Sequence, residues 1–114
     1  MDCIFCKIIS GDIPSDIVYE DDDLIAFRDL SPQAPVHVLI VPKTHIASLD
    51  DVDAAAGHGE LLGRLMLKIR EIAALLGLET GYRIVINCGE DAMQTVKHLH
   101  FHLLGGRKMG WPPG

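Results

Sequence analysis

Polar and apolar residues alternate through the segment 98–104, and its polar positions are all histidine: His98, His100 and His102. This period of two predicts a β-strand with three imidazoles on one face, because a helix would scatter them around its axis. Imidazole is a common metal ligand, and near neutral pH it is also a nucleophile, an acid and a base. The segment therefore indicates a metal site or catalysis by histidine; a merely solvated strand face is the weaker interpretation.

A second group of candidate ligands lies at the start of the chain, where Cys3 and Cys6 form a Cys-x-x-Cys pair. Two thiols at this spacing can hold zinc when two further ligands converge on them. His45, in the turn that follows Pro42, is a candidate partner. Without a second ligand pair, two half-buried thiols on a helical turn are the better interpretation.

Two polar residues occupy unusual places in otherwise apolar segments. Asp29 closes an apolar strand just before a Ser-Pro turn. There its carboxylate either accepts hydrogen bonds from ligand hydroxyls or simply shapes the turn. His37 is the only polar residue of the apolar segment 36–41. Because the histidine strand needs a neighbouring strand, His37 is a candidate to join its imidazoles.

Hydrogen-bond donors for an anion are available just before the histidine segment. Asn87 ends a predicted strand, and Thr95 ends the loop that returns to the histidines. Amide and hydroxyl side chains can both donate to phosphate oxygens. Backbone N–H groups near Gln94 are further candidate donors, so this loop is expected to face the ligand.

The spacing of apolar residues predicts the elements that position these side chains. A short helical turn is expected over 2–9 and one long helix over 58–76, whose apolar stripe should cover a sheet. The predicted strands are 17–20, 24–29, 36–41, 82–87 and 98–104. Strands arranged mostly in hairpins, with one helix inserted, indicate an α+β fold with an antiparallel sheet.

Size and charge exclude several classes of function. The chain has 114 residues and a formal net charge of −6, which predicts one domain over 1–114 and argues against a broad nucleic-acid surface. No apolar run approaches the roughly 20 residues of a membrane span, and no signal core is apparent. Three cysteines do not make a disulfide framework. We therefore expect a cytoplasmic protein that binds neither nucleic acid nor membranes.

The histidine segment resembles the His-φ-His-φ-His-φ-φ motif of the histidine-triad (HIT) superfamily. The whole chain resembles its Hint branch of histidine-triad nucleotide-binding proteins, and the matching segments are 4–9, 13–14, 26–29, 31–35, 81–83, 105–107 and 111–114. The resemblance implies a five-stranded antiparallel sheet with one long and one short helix. It also implies a homodimer whose two sheets join.

The resemblance further implies an activity. Hint proteins hydrolyse purine nucleoside 5′-phosphoramidates, such as adenylyl amines and adenylyl-lysine, and His100 would attack the α-phosphorus to give a nucleotidyl-histidine. His102 would contact the phosphate and deliver a proton to the leaving amine, with His37 in support. The far ring nitrogen of His100 must be held as N–H, and the carbonyl of His98 is the nearest candidate acceptor. The chemistry would need no cofactor.

The same resemblance implies how substrate and partner are held. Asp29 would bind the ribose hydroxyls of a purine nucleoside monophosphate or phosphoramidate, and Trp111 would reach the active site of the partner subunit. An apolar slot for the purine would be formed by Phe5, Ile8, Phe27 and Leu30. Asn87, Gln94 and Thr95 complete the expected nucleotide-binding set.

Some relatives with the Cys-x-x-Cys pair hold a structural zinc with two histidines. The equivalent residues here are Cys3, Cys6, His45 and His98. Such a Cys₂His₂ set has no open position and would stabilise the fold rather than take part in hydrolysis.

Two departures from the family pattern bear on turnover and specificity. Ala92 and Met93 stand where the family usually has two glycines, and Gly110 stands where some relatives have a larger residue. Three alternatives to the phosphoramidase stay open: a dinucleoside polyphosphate hydrolase, a nucleotide-binding regulatory or scaffold protein with incidental hydrolysis, and a zinc hydrolase that uses the triad histidines as ligands.

Overall fold

A single antiparallel sheet forms the centre of the fold in the computed structural model, which describes residues 3–114. Its strands lie in the order β1-β2-β3-β5-β4, and every neighbouring pair is antiparallel. The strands are β1 (Ile17–Glu20), β2 (Leu24–Arg28), β3 (Val36–Pro42), β4 (Tyr82–Val85) and β5 (Phe101–Gly105). The five-stranded α+β fold expected from the sequence is confirmed.

The central position of β3 brings two histidine-bearing strands together. Its residues are apolar on both faces, as expected for a strand with neighbours on each side. β3 pairs with β5 in a register that places His37 opposite Leu104 and Leu39 opposite His102. His37 is therefore a neighbour of the histidine segment, as its sequence position suggested.

Two α-helices pack on opposite faces of the sheet. The long helix α2 (His58–Leu75) buries its apolar stripe in one core, which also contains Leu99, Phe101 and Leu103. The short helix α1 (Ile4–Ser10) packs through Phe5 and Ile8 in a second core. Between β3 and α2 lie two single 3₁₀ turns, at 49–51 and 54–56, which the sequence did not predict.

The short helix begins later than predicted. Cys3 is its N-cap, and the Sγ atom of Cys3 accepts a hydrogen bond from the backbone N–H of Cys6 at 3.4 Å. Gly11, with a φ of 85°, ends the helix in a left-handed conformation that favours glycine. The predicted start at Asp2 lies outside the described residues.

The strand predicted over 98–104 is only partly formed, since β5 begins at Phe101. The backbone N–H of Leu99 instead donates to the carbonyl of Ile46, in the segment after β3. The predicted alternation of faces nevertheless persists, because Leu99 is buried on the α2 side while His98 and His100 contact Phe5 on the α1 side.

Two further strand ends differ from the prediction. β4 ends at Val85 rather than at residue 87, because Asn87 already belongs to the following loop. β2 ends at Arg28, so that Asp29 stands just beyond it. Within the described part of the chain, no helix is long and apolar enough to cross a membrane.

Candidate active site

The ring of His100 is held by the backbone of the residue two positions before it. Its Nδ1 lies 2.7 Å from the carbonyl oxygen of His98, the contact expected from the sequence. A carbonyl only accepts, so Nδ1 carries the proton and, in the neutral ring, the lone pair is on Nε2. Phe5 packs edge-on against the ring at 5.0 Å between centroids. The contact with the carbonyl of His98 therefore fixes the orientation of the His100 ring and directs its Nε2 away from that carbonyl.

His37 and His102 form a second set of imidazole contacts beside it. The backbone N–H of Gln33 donates to Nδ1 of His37 at 3.0 Å. The proton of neutral His37 is therefore on Nε2, which lies 2.9 Å from Nδ1 of His102 and donates to it. This leaves the proton of His102 on its own Nε2. A run of two hydrogen bonds thus fixes both tautomers and gives His102 an N–H to offer to a ligand.

The turn that supplies the Gln33 donor is held from the end of β5. Nε and Nη2 of Arg107 lie 3.3 and 3.1 Å from the Gln33 carbonyl oxygen. A Cβ on Gly106, whose φ is 87°, would lie 2.9 Å from Cβ of Pro35, so glycine is required there. No role was expected for Arg107 from the sequence, although it directly follows Gly105 and Gly106.

Burial keeps this pair of rings neutral. Desolvation, together with the nearby His100 and His37, lowers the pKa of His102 to about 4, and Asp29 partly opposes the shift. Desolvation also lowers the pKa of His37, again opposed by Asp29. At neutral pH both rings are uncharged, which agrees with the tautomers that the hydrogen bonds require.

The carboxylate of Asp29 lies between the imidazoles and an apolar cavity. Its Oδ1 accepts the backbone N–H of Ser31 at 2.7 Å, and Oδ2 lies 3.5 Å from Nε2 of His37. The cavity has a volume of about 220 Å³. Its lining includes Asp29 and all four residues of the expected apolar slot: Phe5, Ile8, Phe27 and Leu30. Leu30 is fully exposed at the cavity's edge.

The loop before the histidine segment does not supply every expected donor. Both the backbone and the side chain of Gln94 are used inside the protein: the backbone N–H donates to Gly89, and Nε2 donates to the carbonyls of Ala47 and Val96. The N–H groups of Gln94 itself thus have partners within the protein, and a role of this residue in nucleotide binding stays a prediction.

The other two donor candidates differ from each other in position. Nδ2 of Asn87 donates to the carbonyl of Ala92 at 2.7 Å, and Asn87 lines a cavity together with His102. Thr95 is exposed and lines a different cavity, beside Cys3 and His45. The structure thus brings Asn87 to the imidazoles and Thr95 to the cysteines.

Four candidate metal ligands converge where α1 begins. His98 is fully buried, and its Nε2 lies 2.8 Å from the carbonyl oxygen of Pro42 and donates to it, which leaves the lone pair on Nδ1. That Nδ1 lies 3.3 Å from Sγ of Cys3, 3.6 Å from Sγ of Cys6 and 3.1 Å from Nδ1 of His45. The residues Cys3, Cys6, His45 and His98 therefore form one cluster.

This cluster fits a tetrahedral zinc ion. Zinc bonds of about 2.3 Å to sulfur and about 2.0–2.1 Å to nitrogen place tetrahedral ligands roughly 3.3–3.8 Å apart. All four candidate atoms lie within 4.8 Å of one another. The backbone N–H that donates to Sγ of Cys3 would further stabilise a thiolate. Without a cation, burial and the neighbouring Cys3 raise the pKa of Cys6, so a metal would supply the charge that the thiolates need.

The three triad imidazoles do not share one metal site. His98 points to the cysteines, and His100 belongs to neither of the ligand clusters in the described chain. Asp29, His37 and His102 form a second set, but the 2.9 Å between the two ring nitrogens is a hydrogen-bond distance. The geometry therefore disfavours a zinc hydrolase with the triad as ligands.

Comparisons with known proteins show what the chain is similar to. The HIT domain profile matches residues 10–109. A HIT family hydrolase from Legionella pneumophila has a TM-score of 0.94 and 49% identity, over 99% of this chain and 100% of that one. A histidine triad nucleotide-binding protein from Candida albicans has a TM-score of 0.81 and 35% identity, over 99% and 85%. A 14 kDa zinc-binding protein of Brassica juncea is 50% identical over 113 residues, which are 99% of this chain and 100% of that protein.

Proposed function

Because the chain belongs to the HIT family, we propose that it is a hydrolase of the Hint branch, acting on the P–N bond of purine nucleoside 5′-phosphoramidates such as adenylyl-lysine. The observation that carries the proposal is the hydrogen bond from Nδ1 of His100 to the carbonyl of His98. It holds the lone pair of Nε2 ready to attack phosphorus. In this proposal residues 1–114 form a single HIT domain.

In the first step, Nε2 of His100 bonds to the α-phosphorus as the P–N bond breaks. The leaving amine must receive a proton, and His102 is the nearest ring whose N–H is free. An anionic phosphoryl group beside His102 raises its pKa above the value of about 4 in the unliganded chain. Bound substrate thus allows His102 to take up a second proton on Nδ1, in place of the hydrogen bond from His37, and to pass its Nε2 proton to the amine.

In the second step, water attacks the nucleotidyl-histidine and His100 leaves. His102 is then neutral, with its proton on Nδ1 and a lone pair on Nε2, so Nε2 can take the proton of the attacking water. Loss of the Nδ1 proton to solvent restores the resting tautomer, in which Nδ1 of His102 accepts the hydrogen bond from His37. The covalent intermediate divides one displacement into two, each with a well-placed nucleophile.

The nucleoside would occupy the apolar cavity beside Asp29. The carboxylate stands at the rim, where it can accept hydrogen bonds from the ribose hydroxyls, and Phe5 and Phe27 offer faces and edges for a purine. One N–H of the Asn87 side-chain amide donates to the carbonyl of Ala92. Because the amide has two N–H groups, the other can donate to a phosphate oxygen near His102.

The zinc of this proposal is structural. Bound to Cys3, Cys6, His45 and His98, it would link the start of α1 to the turn after β3 and to the histidine segment. Zinc in a closed Cys₂His₂ set contributes folding free energy directly. The position of the His98 carbonyl, and through it the orientation of His100, would then depend on an anchored His98.

We extend the proposal to a cytoplasmic homodimer in which the sheets join. β4 has a neighbour on one side only, and Trp111 in the tail beyond β5 is 84% exposed. An unpaired sheet edge and a large exposed aromatic are surfaces that a second subunit would cover. Light scattering at several concentrations tests this: a dimeric mass is expected, and a monomeric mass at all concentrations would contradict it.

The activity is tested with an adenosine 5′-phosphoramidate that releases a fluorescent amine. We expect His100→Ala to lower kcat/KM by about a thousandfold or more, as removal of a nucleophile does. His58→Ala is the matched control, since His58 lies at the start of α2 on the opposite face. Tight AMP binding without hydrolysis by the wild type would contradict the proposal and favour a nucleotide-binding regulatory protein.

A further inference from the structure

A second cavity adjoins the imidazoles on the β4 side of the sheet. Its volume is about 300 Å³, and its lining includes His37, His102, Arg83 and Arg107. The apolar cavity assigned to the nucleoside lies on the other side, toward β2. The two cavities are thus separate spaces on the same face.

The strand register places His102 between them. Phe27 pairs with Leu39, Leu39 pairs with His102, and His102 pairs with Val85. Phe27 lines the nucleoside cavity and Val85 lines the second cavity. The phosphorus that reacts beside His102 carries both the nucleoside and the leaving group. When the nucleoside occupies one cavity, the other is the space left for the leaving group.

The second cavity has a positive charge that the protein does not neutralise. Arg28 and Arg64 each pair with an aspartate, whereas neither Arg83 nor Arg107 has a carboxylate within 4.0 Å among the described residues. The described lining contains no Asp or Glu. This local positive charge stands out in a chain of net charge −6.

Both guanidinium groups are fixed by neutral acceptors. Arg83 donates to the carbonyl oxygens of Gly110 at 2.7 Å and Pro113 at 3.4 Å, and Arg107 donates to that of Gln33. A carbonyl orients the group without cancelling its charge, and each guanidinium has five N–H donors. Two oriented cations with donors to spare are suited to an anionic, planar group.

We propose that this cavity receives the leaving group, and that it favours amines that carry a carboxylate, as in amino-acid phosphoramidates. The inference rests on the proposed function and adds the class of leaving group. The carboxylate would meet Arg83 and Arg107 while the P–N bond lies over His100 and His102. A leaving amine that carries a second positive charge and no carboxylate would be disfavoured in the same place.

The test compares the adenosine 5′-phosphoramidates of glycine and glycinamide, which are nearly identical in size and differ in one charge. The two amines differ in basicity, so the measured quantity is the ratio of their kcat/KM values in each variant. We expect Arg83→Gln and Arg107→Gln each to lower the glycine-to-glycinamide ratio by about tenfold. High salt should lower the wild-type ratio as well, because it screens exposed charges.

Two variants control for general damage. Arg83→Lys retains the charge and should keep most of the wild-type ratio, even if the tail it holds is loosened. Arg70→Gln removes an exposed charge from α2, on the opposite face, and should leave the ratio unchanged. An equal ratio in the wild type and both glutamine variants would overturn this inference alone. No hydrolysis of either substrate by the wild type would overturn the proposed function, and this inference with it.

Discussion

Two groups of histidines lie side by side in this fold and differ in how their ring nitrogens are used. In the metal-ligand cluster, the Nδ1 atoms of His45 and His98 converge on the two cysteines. In the active-site group, N–H groups and lone pairs alternate from Gln33 through His37 to His102. The first arrangement brings two sulfur and two nitrogen atoms together where they can bind a cation. The second fixes the tautomer of His102, so that its Nε2–H is available to a ligand.

Backbone groups decide which of the two roles each ring takes. The carbonyl of Pro42 holds Nε2 of His98 as N–H and leaves Nδ1 for the metal. The carbonyl of His98 holds Nδ1 of His100 as N–H and leaves the lone pair on Nε2, the atom that we propose attacks phosphorus. Residue type alone therefore does not determine whether a histidine is a metal ligand or part of the active-site group. His98 belongs to both groups, one through its ring and the other through its carbonyl.

The largest effect is expected from breaking the cluster. Cys6→Ser should abolish zinc binding and lower stability by about 3 kcal/mol or more, because a closed structural site contributes directly to folding. Inductively coupled plasma mass spectrometry measures the zinc content, and thermal unfolding measures the stability. Cys88→Ser is the control, since Cys88 is a free cysteine outside the cluster. Full zinc content in Cys6→Ser would show that the cluster is not the site.

A smaller effect is expected from breaking the tautomer run. Gln33→Pro removes the backbone N–H that donates to His37, whereas Gln33→Ala keeps it and removes the same side chain. We expect kcat to fall about tenfold in the proline variant alone, because removing the hydrogen-bond partner behind a functional histidine usually lowers activity by at least this factor. Nitrogen NMR of the rings should show a mixed His37 tautomer only in that variant. Identical behaviour of the two variants would contradict the assignment.

The pKa of His102 predicts a pH dependence of stability. Its value of about 4 in the folded chain lies below the ordinary 6.5. Between these values the unfolded chain binds a proton that the folded chain does not, so stability falls as pH drops from about 6.5 to 4. We expect a contribution of about 1–2 kcal/mol after allowance for the ring's partial exposure. The free energy of unfolding, measured with urea at several pH values in this range, should depend less steeply on pH in His102→Gln than in the wild type. An equal pH dependence in the two proteins would contradict the lowered pKa of His102.

The smallest effect concerns the loop that leads into both groups. Met93 is 74% exposed and adopts a φ of 61°, a conformation that costs most side chains energy but not glycine. Met93→Gly should therefore raise the free energy of unfolding by about 0.5 kcal/mol, the gain being reduced by glycine's greater freedom when unfolded. Met93→Ala keeps the strain and should show no gain. Equal stabilisation in both variants would place the cause in the methionine side chain.

The sequence predicted the parts of this molecule that follow from periodicity. Alternation placed the imidazoles of His98 and His100 on one face, and the apolar segment around His37 predicted a central strand. Both follow from the two-residue period of a strand and hold even where the strand itself is not formed. The four cluster residues were expected only from the resemblance, and the structure brings their ligand atoms together.

The other features of the site depend on loop conformation, which the periodicity of apolar residues does not predict. The N–H of Gln33 meets His37 only because the turn is held by Arg107, and the side chain of Gln94 is buried only because its loop folds over it. β5 begins at Phe101 rather than at the predicted residue 98, because the N–H of Leu99 donates to a loop carbonyl rather than to a strand. Such contacts join segments far apart in sequence, and local patterns carry no signal for them.

We propose Nε2 of His100, held in place by the carbonyl of His98, as the nucleophile. Intact and peptide mass spectrometry can test this on protein that is stopped in acid-free denaturant during turnover of an adenosine 5′-phosphoramidate. We expect an added adenylyl group on the peptide that contains His100, and none on His100→Ala. An adduct that persists in His100→Ala, or rapid turnover with no adduct at any time, would contradict it.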